Sequence, residues 1–139
     1  MEEKMFCFQC EQTAGCSGCK GNRGVCGKQE TTAKLQDELT GALIGLAHAV
    51  GEDKAEPETD RLMMEGLFAT LTNVNFDDES LKKQIASVHQ EKEKYVPGCN
   101  SCQEPCGRTS DYPMEMLWKD QEDIRSLKSL LLFGLRGTA

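Results

Sequence analysis

No stretch of this 139-residue chain is apolar for long enough to cross a bilayer. The longest apolar run, Leu130 to Phe133, is broken by Gly134 and Arg136, where a membrane helix needs roughly 20 apolar residues. A basic excess is also lacking: 16 Lys and Arg stand against 23 Asp and Glu, for a formal charge of -7. That balance argues against a nucleic-acid surface and against docking on anionic lipid. The N-terminus, MEEKMFCF, has no positive segment followed by an apolar one. A secretory signal is therefore not expected, and a cytoplasmic location is. Internal repeats and low-complexity tracts are missing, and so is strand-like alternation.

What is present reads as helices. Leu35, Leu39, Leu43, Leu46 and Val50 recur in steps of three and four, which predicts a helix over 32–50 with one apolar face. Gly51 suits the position just past its end. A polar linker with Pro57 follows. A second helix is expected over 59–73, with Met63, Leu67, Thr70 and Leu71 on its inner face. A third starts after Asp77, a suitable N-cap, with Leu81, Ile85 and Val88 marking its face as far as about 94. Phe76 and Leu81 stand at the spacing of a hydrophobic staple. The segment 96–113 carries two internal prolines and two glycines and reads as a loop. A last helix begins near 120 and holds Ile124, Leu127, Leu130, Leu131 and Leu135. It is apolar around most of its circumference, which predicts partners on every side. Self-association through Leu130, Leu131, Leu132 and Phe133 is one way to supply them. The fold class expected is all-α: one domain, with a cysteine-rich cap over 1–30 and a helical bundle over 31–139.

The eight cysteines are unevenly placed, five before residue 30 and three at Cys99, Cys102 and Cys106. The first group lies in CFQCEQTAGCSGCKGNRGVCG, where glycine recurs every third residue from Gly15 to Gly27. In a reducing compartment such a group points to metal or redox chemistry more than to disulfides. Thiolates that converge repel one another unless a cation or an inorganic cluster takes their charge, and both zinc and iron–sulfur clusters do so. The Cys7-x-x-Cys10 pair delivers two ligands from one turn. The glycines permit positive φ and close backbone approach. Lys20, Arg23 and Lys28 are placed to offset cluster charge. Spacing alone leaves iron–sulfur, a structural zinc knuckle and disulfides all open.

MFCFQCEQTAG, followed by GC and by GVCGKQ, resembles the N-terminus of the hybrid cluster proteins, also called prismane proteins or hydroxylamine reductases. Leu35-Gln36-Asp37, GLFATLTNVNFDD from Gly66 to Asp78, and EDIRSLKSLLLFGLRG from Glu122 to Gly137 are similar to that family's first helical domain. The resemblance implies four N-terminal cysteine ligands, here Cys7, Cys10, Cys19 and Cys26, and a [4Fe–4S] cluster, with [2Fe–2S] or zinc as alternatives. Cys16 is an extra thiol in this sequence and competes with Cys19 for the third position. Cys16, Cys99, Cys102 and Cys106 together have the count for a second metal site; reduced structural thiols are the simpler account of them.

The family's reduction of hydroxylamine to ammonia takes place on a separate hybrid cluster, held by cysteines, a histidine and glutamates of later domains. Nothing in this sequence matches those ligands. His48 and His89 lie in predicted helices and read as a boundary and a solvated residue. Glu52, Asp77 and Asp78 read as caps and surface charge. The resemblance thus implies an oxidoreductase's electron-transfer domain, truncated from a longer protein and inactive alone. Its partners would be a redox donor protein and the remainder of the reductase. A stand-alone redox or metal sensor and a zinc-stapled structural domain are the alternatives.

Overall fold

The computed structural model describes residues 5–10, 17–52, 55–71, 74–96 and 110–139. Among them the chain forms two short strands, β1 (Phe6–Cys7) and β2 (Cys19–Lys20), and then five helices. These are α1 (Glu30–Val50), α2 (Pro57–Ala69), α3 (Asp78–Tyr95), α4 (Met114–Lys119) and α5 (Glu122–Thr138). The fold is mostly α, as expected. The strands pair antiparallel, with Phe6 opposite Lys20 and Cys7 opposite Cys19. A ladder two residues long carries no alternation to detect, so the absence of strand signal in the sequence did not exclude it.

The core lies between α1, α2 and α3. Leu39, Leu43 and Leu46 of α1 meet Leu81, Ile85 and Val88 of α3, with Ala69 of α2 beside them. Each such leucine contributes roughly 1.5–3 kcal/mol by leaving water. Leu35, Val50, Met63 and Leu67 pack on the margin of this cluster. Gly51 ends α1 at φ 65°, its N–H donating to the Ala47 carbonyl. The Asp77 side chain caps α3 by accepting from the Glu79 N–H at 3.0 Å. Phe76, expected to staple this end, is 46% exposed. The second helix is displaced from expectation: α2 starts at Pro57 and stops at Ala69 rather than running over 59–73. Proline is well placed in a first helical turn, where its missing N–H costs nothing.

Two glycines of α1 position the segment that follows the second cysteine group. A Cβ on Gly41 would lie 2.3 Å from the Tyr112 carbonyl oxygen, and one on Gly45 would lie 3.0 Å from that of Ser110. The Tyr112 N–H donates to the Gly41 carbonyl at 3.0 Å. Asp111 then bonds Lys92 at 2.5 Å and His89 at 2.7 Å on α3. His89 is therefore paired with a carboxylate rather than merely solvated. Burial alone would raise the Asp111 carboxyl, but the bonds from Lys92 and His89 hold it below its ordinary range. His48 is exposed in the last turn of α1, where a cation suits the helix dipole.

α4 was not foreseen; its six residues are too few for a period to show. α5 begins at Glu122 rather than near 120. Its apolar residues face outward: Leu127, Leu130 and Leu131 are 67%, 68% and 64% exposed. The residues it buries are Ser129 and Arg136.

Candidate metal centre

The N-terminal cap is built around two opposed thiols. Cys7 and Cys19 form a directly facing pair in the β1–β2 ladder, which puts their side chains on one face. Both are buried, in a small apolar cluster with Met5 and Ala33. Gly18, at φ 94°, makes the approach to Cys19 possible, and a Cβ there would strike the Phe6 ring at 2.7 Å. Gly27, at φ 91°, follows Cys26 and closes a turn through its N–H to the Gly24 carbonyl. Cys10 and Cys26 are half-buried. All four described cysteines are free thiols. Among the described residues no three His, Cys, Asp or Glu side chains stand close enough to hold a metal ion. The structure thus pairs Cys7 with Cys19 and does not bring Cys10 and Cys26 into one group with them. Cys16, Cys99, Cys102 and Cys106, and with them the expected second site, lie outside the described residues.

The surroundings of Cys7 are polar and cationic. The Lys28 ammonium lies 3.7 Å from its sulfur and donates to Gln9 Oε1 at 2.9 Å. Gln9 Nε2 in turn donates to Asp37 Oδ1 at 3.4 Å. Burial pushes the Cys7 thiol up, while Lys28 and the Gln9 backbone N–H pull the other way. Burial also pushes the Asp37 carboxyl up to about 6, against the Gln9 bond and the charges of Arg136 and Lys28. Of the three cations expected to offset cluster charge, only Lys28 is buried; Lys20 and Arg23 are exposed. Lys20 instead sits over the Phe6 ring, 5.9 Å from its centroid.

Phe6 and Phe8 flank Cys7, and both meet Trp118 of α4 edge-on, at 5.3 and 5.8 Å between centroids. These rings, with Leu130 and Phe133 of α5, wall an open groove of about 1410 Å³ beside the cap. Gln9, Asp37, Trp118 and Arg136 were all missed by sequence reasoning. The single tryptophan was the one local signal available.

The donor chemistry suits a thiolate-bound metal group. Soft thiols come from four positions of one segment, two of them buried, with a backbone N–H and an ammonium aimed at sulfur. The described residues are mostly helical, five helices with one two-stranded ladder that carries Cys7 and Cys19. Residues 5–138 match the Prismane/CO dehydrogenase family, and the chain belongs to that family. It is 37% identical to a hydroxylamine reductase of Clostridium perfringens, over 97% of this chain and 28% of the relative. It is 36% identical to one of Porphyromonas gingivalis, over 100% and 29%. A third, from Acetivibrio thermocellus, is 38% identical over 97% and 28%. The chain therefore spans under a third of the length of these relatives. The family implies an iron–sulfur cofactor.

Proposed function

We propose that this chain is the electron-transfer domain of a hydroxylamine reductase, with Cys7, Cys10, Cys19 and Cys26 as the ligands of a [4Fe–4S] cluster. The observation that carries the reading is the buried Cys7–Cys19 pair, in register and beside the buried Lys28. A cluster bound there would supply one-electron transfer toward the hybrid cluster that reduces hydroxylamine to ammonia in the longer protein. The residues of this chain do the rest. The β1–β2 ladder pairs two sulfurs, and Lys28 with the Gln9 N–H works against the rise that burial imposes on the Cys7 thiol. The edge-on contacts of Phe6 and Phe8 with Trp118 tie the strand that carries Cys7 to α4.

The partners proposed are a redox donor protein and the remainder of the reductase, with the exposed Leu130, Leu131 and Phe133 as the association surface. The compartment proposed is the cytoplasm. Among the described residues no helix is long and apolar enough to cross a membrane. Since the hybrid-cluster ligands have no counterpart here, the purified chain is expected not to turn over hydroxylamine above a free-cluster control.

The deciding experiment is iron, acid-labile sulfide and zinc content after purification without oxygen, with the visible spectrum. About four irons and four sulfides per chain support the proposal. A larger count assigns a second cluster to Cys16, Cys99, Cys102 and Cys106. Zinc alone, with no cluster after reconstitution, makes the cap structural and overturns the electron-transfer function.

A further inference from the structure

The β1–β2 ladder does more than carry two cysteines: it sets them against each other. Cys7 and Cys19 are direct partners in the antiparallel register, with Phe6 and Lys20 as the other pair. Directly opposed residues on such a ladder have Cα atoms about 4.5 or about 5.5 Å apart, according to the class of pair. A disulfide takes a Cα separation of roughly 4.4–6.8 Å. Either class of pair satisfies it. Opposed side chains also leave the sheet on the same face. Both thiols are free, and both are buried beside Met5 and Ala33.

Cys10 and Cys26 lie outside both strands and stand opposite neither thiol in the ladder. Nearness in sequence favours Cys10 as a partner for Cys7; the register selects Cys19 instead. Burial does not seal the pair. The ladder that covers it is two residues long, and a hairpin so short opens locally at little cost. A reagent as small as a peroxide reaches the sulfurs by that route.

We propose that Cys7 and Cys19 are a reversible redox pair, which a peroxide closes into a cross-strand disulfide when the two sulfurs carry no metal. One thiolate attacks a peroxide oxygen and the O–O bond breaks. Hydroxide leaves, takes up that thiol's proton as water, and the sulfur becomes a sulfenic acid. The second sulfur attacks the first and the S–O bond breaks. A second hydroxide leaves and takes the second thiol's proton, giving a second water. The two thiols together lose two electrons, and the peroxide gains them. A thiol reductant reverses the change by exchange. The ladder alone is enough for this chemistry, with or without a cluster in the cap. Under the proposed function it has a consequence. A disulfide sulfur has no thiolate to give a metal, so the closed pair shuts the cap to iron.

The test uses the full chain, stripped of metal by a chelator and reduced. It is treated with hydrogen peroxide, once in native buffer and once in urea, and the remaining thiols are alkylated. Cleavage at Glu11 and at the lysines separates Cys7 from Cys19, and tandem mass spectrometry of the fragments assigns the link. A Cys7–Cys19 disulfide is expected as the main product in native buffer. It should be roughly tenfold less abundant in urea, where pairs near in sequence close the shorter loops. In dithiothreitol buffers the oxidised-to-reduced ratio of the pair should change tenfold per ~30 mV, as a two-electron couple does. The linked chain is expected to take up iron and sulfide only after dithiothreitol. The same mixture of links in both buffers, or a native chain with Cys7 and Cys19 both still alkylated, overturns the redox pair. A chain that forms the link but takes up no iron or sulfide once reduced overturns the proposed function and leaves the redox pair standing. Iron loading with the link intact overturns the proposed ligand set, since the metal would then be using other sulfurs.

Discussion

The bundle and the cap are held together by different forces. Between α1, α2 and α3 lies a cluster of leucines, isoleucine, valine and alanines with almost no exposed surface. Its stability follows from apolar burial and needs nothing from outside. Among the described residues, the cap's buried cluster holds four, two of which are the thiols Cys7 and Cys19. Its ladder is two residues long, and a hairpin of that size is at best marginal in water. It also buries a lysine against a sulfur. Under the proposed function, this segment gains its order from the metal group it binds.

The largest expected effect separates the two regions directly. Under the proposed function, removal of iron by a chelator should abolish hydrogen-exchange protection over residues 5–10 and 17–29 while sparing α1 and α3. Metal-binding free energy is folding free energy where no site exists in the unfolded chain, and for structural zinc it reaches roughly 10 kcal/mol. Equal protection in the apo and holo forms would show that the cap stands without a ligand. The converse perturbation is Leu43→Ala. Leu43 is 2% exposed and packs against the bare backbone of Gly66, so the cavity cannot readily collapse. About 3 kcal/mol of bundle stability should be lost, read by urea denaturation, with iron content unchanged. Loss of iron in that variant would mean that the two regions are one cooperative unit.

How legible each region is in the sequence follows from the same contrast. The α1 stripe announces itself because Leu39, Leu43 and Leu46 obey the helical period and are all buried. The Asp77 cap and the Gly51 terminus are likewise local chemistry. α5 misleads: its leucines keep the period yet lie outward, while Arg136 and Ser129 lie inward. A period shows that a face exists, not which neighbour it meets. The cap was legible as a thiol set and not as a charge network. Gln9, Lys28 and Asp37 come from three segments, and Arg136 joins them from the other end of the chain. No spacing rule connects such positions. The same holds for Gly41 and Gly45, whose bareness serves a segment that passes over them from 110 onward.

Asp37 joins the two regions and gives a smaller, pH-dependent effect. Its folded carboxyl is pushed up to about 6 from an ordinary value of 3.8. Between these values the folded chain holds a proton that the unfolded chain has released. Stability therefore falls as pH rises through the window from about 4 to about 6, and the full penalty stands above it. That penalty is on the order of 2–3 kcal/mol. Asp37→Asn should flatten this part of the pH–stability curve of the apo chain and raise its stability at pH 7. Parallel curves for the two proteins would show that Asp37 is better solvated than its setting suggests.

The smallest effect tests the seam between cap and bundle. Trp118 holds Phe6 and Phe8 edge-on, and such pairs contribute about 1 kcal/mol each beyond area burial. Its indole nitrogen is buried with no acceptor among the described residues, so removing that N–H relieves an unmet polar group. Trp118→Leu should therefore cost less than the two ring pairs suggest, roughly 1 kcal/mol net. The loss should fall on the cap. Exchange should quicken at Phe6, Cys7, Cys19 and Lys20, while the core amides of α1 and α3 keep the parent's rates. If the α1 core amides quicken in step with the ladder, Trp118 is part of the bundle's own packing. The boundary between the regions would then lie below α4 rather than at it.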